Sequence, residues 1–167
     1  VFKDNNITTT LVTSQENPGF FEQALKDIGY FIDPVGSEND LLFFRKMYSY
    51  FKANKFDVVH IHTDKLYLWK VIILKLTGHN NIVRTFHNCW TFDGMLLFKR
   101  RLHRKLARLM GVKHHAIGPS VYLNEKEHFH NECHIINNWI EFKPELHENK
   151  DAVRQSKRAE LNIDPDK

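Results

Sequence analysis

Short apolar runs alternate along this chain with longer segments in which apolar residues recur at every third or fourth position. The short runs predict β-strands, and the longer segments predict the helices that connect parallel strands. Predicted strands cover residues 8–13, 30–35, 57–61, 82–86, 114–118 and 133–137, and predicted helices cover residues 20–28, 41–51, 66–76, 96–110 and 151–161. This alternation predicts an α/β fold with a doubly wound, mainly parallel sheet.

Several predicted helix ends carry residues that commonly start or stop a helix. Gly78 and Gly111 follow two of the helices at the position where glycine ends a last turn. Asn39 and Ser120 stand where an N-cap side chain would accept a hydrogen bond from a first turn. These signals support the helix boundaries independently of the apolar pattern.

Two segments predict where the core lies. Leu41, Phe44, Tyr48 and Phe51 are spaced so that they would form one buried stripe on a helix. Residues 58–61 are nearly continuous in apolar character, as expected for a central parallel strand that is covered on both faces. The chain length of 167 residues accommodates one such core, so the prediction is one domain over residues 1–140.

Both ends of the chain predict a longer protein. No βα unit and no glycine-rich turn precede the first strand, and the motifs GxGxxG and GxxxxGK occur nowhere in the sequence. Residues 141–167 form a polar segment with one amphipathic stretch. We therefore expect the sequence to be cut at both ends.

Composition narrows the classes of partner. The net charge of +4 and the eleven histidines favour an anionic partner such as a phosphate, a nucleic acid or an acidic lipid surface.

Cys89 and Cys133 are the only cysteines, so no disulfide framework and no cysteine zinc site are indicated, and a reducing cytoplasm fits best. No apolar run reaches the roughly 18 residues that a membrane-spanning helix needs.

Polar side chains follow the predicted strands at the edge where ligands bind in open α/β sheets. These candidates for binding a substrate are His62, Thr63, Asp64, Asn88 and Ser120, with His87 as the candidate catalytic residue and Asn137 and Asn138 as turn residues. His87 comes directly after an apolar strand, where an imidazole is suited to proton transfer or to phosphate contact. The alternative for His87 is a purely structural, hydrogen-bonded role.

Metal binding is not predicted. His60 and His62 are two residues apart on a strand, so they share a face and could bind a metal together. No third ligand stands at a convincing spacing, and the histidine-rich residues 128–134 lack the HExxH spacing.

A basic amphipathic helix is predicted around residues 99–108. Its cationic side chains are Lys99, Arg100, Arg101, Arg104, Lys105 and Arg108, and its apolar stripe is Phe98, Leu102, Leu106 and Leu109. We expect the apolar stripe to pack in the core and the basic face to contact an anionic membrane or a lipid phosphate. The alternative for the basic face is an ordinary solvated helix surface. Nucleic-acid binding is not expected, because the aromatic residues are not interleaved with the cations as a base-stacking surface needs.

Four passages together resemble the N-terminal, acceptor-side domain of family 4 glycosyltransferases of the capsular and exopolysaccharide type. They are KFDVVHIHTDK at residues 55–65, NIVRTFHN at 81–88, HHAIGPS at 114–120 and HIINNWIEF at 134–142. The resemblance implies one Rossmann-like half of a GT-B enzyme, which transfers a sugar with retention and without a metal or other cofactor. The sequence departs from the family with His87-Asn88 in place of His-Asp, and with Asn137-Asn138 in place of Asn-Gly.

The resemblance also implies the partners. A full-length enzyme of this type would have a first βα unit before Val1 and a C-terminal domain after Lys167. As a hexosyltransferase it would use a nucleotide sugar, bound mainly by that C-terminal domain, and a saccharide or lipid-linked acceptor held by this domain. It would work in the cytoplasm at the inner face of the cell membrane, and this chain alone would be inactive. A non-catalytic doubly wound binding or regulatory module is the alternative from another class, followed by a nucleic-acid-binding domain.

Overall fold

In the computed structural model, strands and helices alternate along the chain as the apolar pattern predicted. The structure describes residues 6–14, 19–40, 42–138, 150–161 and 163. Within these residues the chain divides into two units, Val1–Ile136 and Asn137–Lys167. The elements in chain order are β1 (Thr9–Thr13), α1 (Glu22–Asp27), β2 (Tyr30–Pro34), α2 (Phe43–Ala53), β3 (Val59–Ile61), α3 (Tyr67–Leu76), β4 (Ile82–Phe86), α4 (Gly94–Leu109), β5 (Lys113–Ala116), α5 (Pro119–Phe129), β6 (His134–Ile135) and α6 (Lys150–Glu160).

The described strands form two parallel sheets. β1 and β2 make a two-stranded sheet in which Thr9 is opposite Tyr30, and the other strands make a four-stranded sheet in the order β3-β4-β5-β6. Two adjacent parallel strands run in the same direction, so the segment between them must lead the chain back to the edge of the sheet where the first strand began. The helices form these connections. The predicted α/β class, with a Rossmann-like doubly wound arrangement of parallel strands, is confirmed. The apolar runs could not show that the strands divide between two sheets, because pairing depends on tertiary packing.

The position of β3 differs from the prediction. It is an edge strand of the four-stranded sheet, and Val58 next to it is 57% exposed. β4 takes a central place instead, between β3 and β5, and four of its five residues are buried. Apolar character indicated a strand in both segments, but the order of strands in the sheet is not a local property.

The buried face of helix α2 shares Phe51 with the predicted stripe but otherwise differs from it. Its buried side chains are Phe43, Met47 and Phe51. Phe44 and Tyr48 are exposed, so two members of the predicted stripe were wrong, while Leu41 lies outside the described residues. The helix has apolar residues on two adjacent faces, and its contact with α3 and with the core around Val71 and Leu74 selects one of them.

Two of the predicted helix ends are confirmed and two predicted N-caps are wrong. Gly78 and Gly111 follow α3 and α4 with φ of +88° and +81°, a left-handed conformation that glycine adopts without a steric penalty. Asn39 precedes the true start of α2, where the Leu42 N–H donates to Asp40 Oδ1 at 2.9 Å. Ser120 lies inside the first turn of α5, which begins at Pro119.

A chain of buried polar side chains connects four elements beneath the four-stranded sheet. Tyr67 Oη shares a hydrogen bond with His114 Nε2 at 2.7 Å, and His114 Nδ1 shares one with Asn131 Oδ1 at 2.7 Å. Asn131 Nδ2 donates to Glu125 Oε2 at 2.7 Å, and Arg104 donates two hydrogen bonds to the same carboxylate at 2.6 and 2.7 Å. Because each buried group has a partner, this network holds α3, α4, β5 and α5 in one arrangement.

Candidate functional site

The loops after β3 and β4 bring the predicted site residues together. β3 and β4 are parallel neighbours, so their carboxyl ends meet at one edge of the sheet, which we call the carboxyl edge. There, His62 Nδ1 and His87 Nε2 share a hydrogen bond at 3.0 Å, although 25 residues separate them in sequence. The strand ends therefore place the predicted catalytic residue in contact with a predicted binding residue.

A third histidine extends this contact back into β3. The ring centroids of His60 and His62 are 4.0 Å apart, and His60 Nε2 shares a hydrogen bond with Thr85 Oγ1 at 2.6 Å. Partial burial lowers the pKa of His60 to about 4, with a smaller contribution from the charge of His62. Within the described part of the chain, no group of three or more His, Cys, Asp or Glu side chains is arranged to hold a metal ion.

The pKa values of the two histidines of the carboxyl edge lie below the ordinary value, which favours their neutral forms. Burial lowers the pKa of His87, and the nearby Arg84 guanidinium lowers it further, while Asp64 acts in the opposite direction. Burial also lowers the pKa of His62, followed by the effect of a charge on His87. A neutral imidazole has one nitrogen with a free lone pair, so it can accept a proton from a bound hydroxyl group.

Asp64 is held by an arginine that the sequence analysis did not single out. Arg84 is 1% exposed, and its Nη2 donates to Asp64 Oδ1 at 2.5 Å while its Nη1 donates to the Ile61 carbonyl at 3.2 Å. The guanidinium also lies over the rings of Tyr67 and Phe86, at 5.4 and 4.9 Å from their centroids. A charged residue inside the apolar run of β4 was the available signal, since such a residue needs a partner when it is buried.

Thr63 belongs to a second network that ties the loop after β2 to the loop after β3. Lys70 Nζ donates to Thr63 Oγ1 at 2.6 Å and forms an ion pair with Glu38. Lys65 lies 3.7 Å from the same carboxylate and donates to Asn39 Oδ1 at 2.9 Å. Because Lys70 uses the oxygen of Thr63 as its acceptor, the Thr63 hydroxyl keeps its own proton free for donation to a ligand.

Two further predicted residues of the first unit, Asn88 and Ser120, follow β4 and β5 without taking part in these contacts. Asn88 is exposed and directly follows His87. Ser120 is exposed at the start of α5, beyond the end of β5, and β5 is the parallel neighbour of β4. Asn137 and Asn138 belong to the second unit.

The side of the basic helix α4 that packs against the core is not the side that the sequence predicted. Its core-facing side chains are Arg104 and Ala107. Five of its six exposed apolar side chains, which we call the α4 outer stripe, are Met95, Phe98, Leu102, Leu106 and Leu109, and the sixth is Leu96. The stripe was predicted to pack in the core, but Phe98 is 63% exposed and Leu109 is 74% exposed. The bidentate pair of Arg104 with Glu125 explains this orientation, because a buried arginine has to face its carboxylate partner.

Three of the six predicted lipid-contacting cations are engaged by the protein itself. Arg104 is buried, Arg100 Nη1 donates to the Asp64 carbonyl at 3.5 Å, and Arg101 Nε donates to the His128 carbonyl at 2.7 Å. Lys99, Lys105 and Arg108 are exposed beside the α4 outer stripe. No helix in the described residues is both long enough and apolar enough to cross a membrane.

Comparison with known families agrees with the resemblance seen in the sequence motifs. A sequence model of the family described as Glycosyltransferase Family 4 matches residues 2–141, which is most of the chain. The match supports a GT-B domain of the N-terminal type and a glycosyltransferase function, with a nucleotide sugar and an acceptor as substrates in general. No curated protein matches the sequence.

Proposed function

Since the chain belongs to Glycosyltransferase Family 4, we propose that it holds the acceptor during transfer of a hexose-type sugar from a nucleotide sugar to a lipid-linked saccharide. The product would be a bacterial surface polysaccharide of the capsular or exopolysaccharide type. The chain alone would be inactive, because the nucleotide sugar would be bound mainly by a second domain. No metal or other cofactor is proposed.

The contact between His62 and His87 at the carboxyl edge is the observation that supports this proposal most directly. His87 is half-buried and has a lowered pKa, so it suits a position near the reacting centre, where it would exchange a proton or contact a phosphate. Acceptor hydroxyl groups would be hydrogen-bonded by the predicted binding residues, which are His62, Thr63, Asp64, Asn88 and Ser120. Arg84 fixes the Asp64 carboxylate in the direction of this edge.

Replacement of His87 in the enzyme tests this role. We expect His87→Ala to lower kcat by about 100-fold or more, as is usual when a general acid or base is lost. His115→Ala is the matched control, because His115 is also half-buried but lies within β5. Turnover of the nucleotide sugar that is unchanged by His87→Ala would overturn the assigned role, and no turnover in the unsubstituted enzyme would favour a non-catalytic binding module.

We further propose that α4 attaches this domain to the inner face of the cell membrane. An apolar stripe that faces water along a helix, with cations on its flanks, has the pattern of a helix that lies in the interface of an anionic bilayer. The α4 outer stripe would enter the headgroup region, and Lys99, Lys105 and Arg108 would contact lipid phosphates or the diphosphate of a lipid carrier. This arrangement would keep a lipid-linked acceptor close to the protein.

Sedimentation with vesicles tests the membrane proposal. We expect the chain to bind vesicles of phosphatidylcholine with phosphatidylglycerol and to bind pure phosphatidylcholine weakly, since each basic residue contributes about 1 kcal/mol at an anionic surface. Phe98→Ser combined with Leu102→Ser should weaken binding by at least about tenfold. The matched control is Trp69→Ser combined with Leu76→Ser, two exposed apolar residues of α3. An equal loss in both double variants, or binding to nucleic acid without binding to vesicles, would overturn the proposal.

A further inference from the structure

The hydrogen bond between His62 and His87 restricts how many protons the two rings hold. The bond joins His62 Nδ1 to His87 Nε2 at 3.0 Å. A hydrogen bond between two imidazole nitrogens needs one N–H and one lone pair, so the bond breaks if both rings become imidazolium ions. The geometry therefore allows the pair to take up one proton while the bond is kept, and a second proton costs the bond.

The surroundings of the pair also oppose a second positive charge. The ring of His60 in β3 lies 4.0 Å from that of His62 at a tilt of 40°, a charge on His115 of β5 acts on His60, and the charge of Arg84 in β4 lowers the pKa of both His62 and His87. Asp64 is the carboxylate that faces His87, and Arg84 already neutralises it. Asp64 raises the pKa of His87, which favours His87 as the ring that takes the first proton.

We propose that His62 is a positioning residue for His87 and that the two rings act as a unit that holds one extra proton. In the protonated unit, His87 Nε2–H donates to the lone pair of His62 Nδ1, and His62 carries its own proton on Nε2. The His87 ring is then fixed with Nδ1 as its remaining nitrogen, which is the atom that meets the substrate. This inference rests on the proposed role of His87 at the reacting centre.

Two substitutions of His62 separate positioning from a structural role. Asn places an amide oxygen close to the location of His62 Nδ1, so His62→Asn keeps an acceptor for His87 Nε2–H. Leu has a similar volume but no acceptor, so His62→Leu removes the hydrogen bond. His115→Leu is the matched control, because it removes a histidine of the same sheet that does not contact His87.

Nitrogen NMR of the imidazole rings in this chain, recorded across a pH titration, reads the protonation state directly. We expect His62 and His87 to take up one proton together and a second only at clearly lower pH. In His62→Leu the proton affinity of His87 should fall about tenfold, because a hydrogen bond from a charged donor is lost. His62→Asn and His115→Leu should leave that affinity close to the original. Independent titration of the two rings, or equal effects of Leu and Asn at position 62, would overturn the inference.

Activity measurements keep this inference distinct from the proposed function. In the enzyme, the acidic limb of the kcat profile should move to lower pH in His62→Leu and should be restored in His62→Asn. If the NMR shows the shared proton but His87→Ala keeps full turnover, the pair exists and the proposed catalytic role fails. If the rings titrate independently while His87→Ala abolishes turnover, the role of His87 stands and the inference about His62 fails.

Discussion

Acidification is expected to destabilise this domain through one buried histidine, His114. The ring is 3% exposed and lies between Tyr67 and Asn131. Because the Asn131 oxygen accepts from His114 Nδ1, the lone pair of neutral His114 is on Nε2, where the Tyr67 hydroxyl donates to it. If Nε2 also took up a proton, the hydrogen bond from the Tyr67 hydroxyl would be lost. The ring would also gain a positive charge near Arg104, and the Glu125 carboxylate is already paired with Arg104.

The size of the effect follows from the His114 pKa, which burial lowers from 6.5 to about 4. Since one pH unit of difference corresponds to about 1.4 kcal/mol, neutral His114 contributes about 3 kcal/mol to the free energy of unfolding at neutral pH. The folded value lies below the unfolded value, so this contribution is fully present above pH 6.5 and is lost as the pH falls toward 4. About 2 kcal/mol of it is lost by about pH 5.

Urea unfolding near pH 7 and near pH 5 measures this loss. We expect His114→Gln to be less stable than the unsubstituted chain at neutral pH but to lose about 2 kcal/mol less on acidification, because glutamine does not titrate. His115→Gln, at the neighbouring half-buried position, should keep nearly the full acid-induced loss. The same acid-induced loss in His114→Gln as in the unsubstituted chain would refute the reasoning, and NMR detection of protonated His114 well above pH 5 would refute it without any variant.

Three further predictions concern other elements. Arg104→Met should lower the free energy of unfolding by about 3–5 kcal/mol, because it leaves the Glu125 carboxylate buried without its partner, and chemical denaturation should detect the loss. Gly111→Ala should cost about 1–2 kcal/mol by the same measurement, since alanine is strained at φ of +81°, and an unchanged midpoint would contradict this. Cys89 is exposed, whereas burial raises the pKa of half-buried Cys133 to about 12, so a thiol reagent should label one cysteine rapidly in the folded chain and the second only after unfolding.

Local features of the sequence predicted the framework that carries the site. The apolar runs located the strands, and glycines with the required left-handed conformation ended α3 and α4 as predicted. Because the carboxyl ends of parallel strands share one edge, the positions of His62 and His87 after two strands were enough to predict a common site. These signals depend on residues within a few positions of each other, which is why one sequence reveals them.

Choices between competing faces and partners required the tertiary structure. Both sides of α4 carry residues that could have faced the core. The side that carries Arg104 does so because Arg104 pairs with Glu125, which lies 21 residues later in the sequence. In the same way, Arg84 and its partner Asp64 are 20 residues apart in sequence, and the hydrogen-bonded His62 and His87 are 25 residues apart. The sequence by itself determined the kinds of elements and the edge at which the candidate site lies. Only packing decided the buried side of each helix and the partner of each charged group, because these depend on residues that meet after the chain has folded.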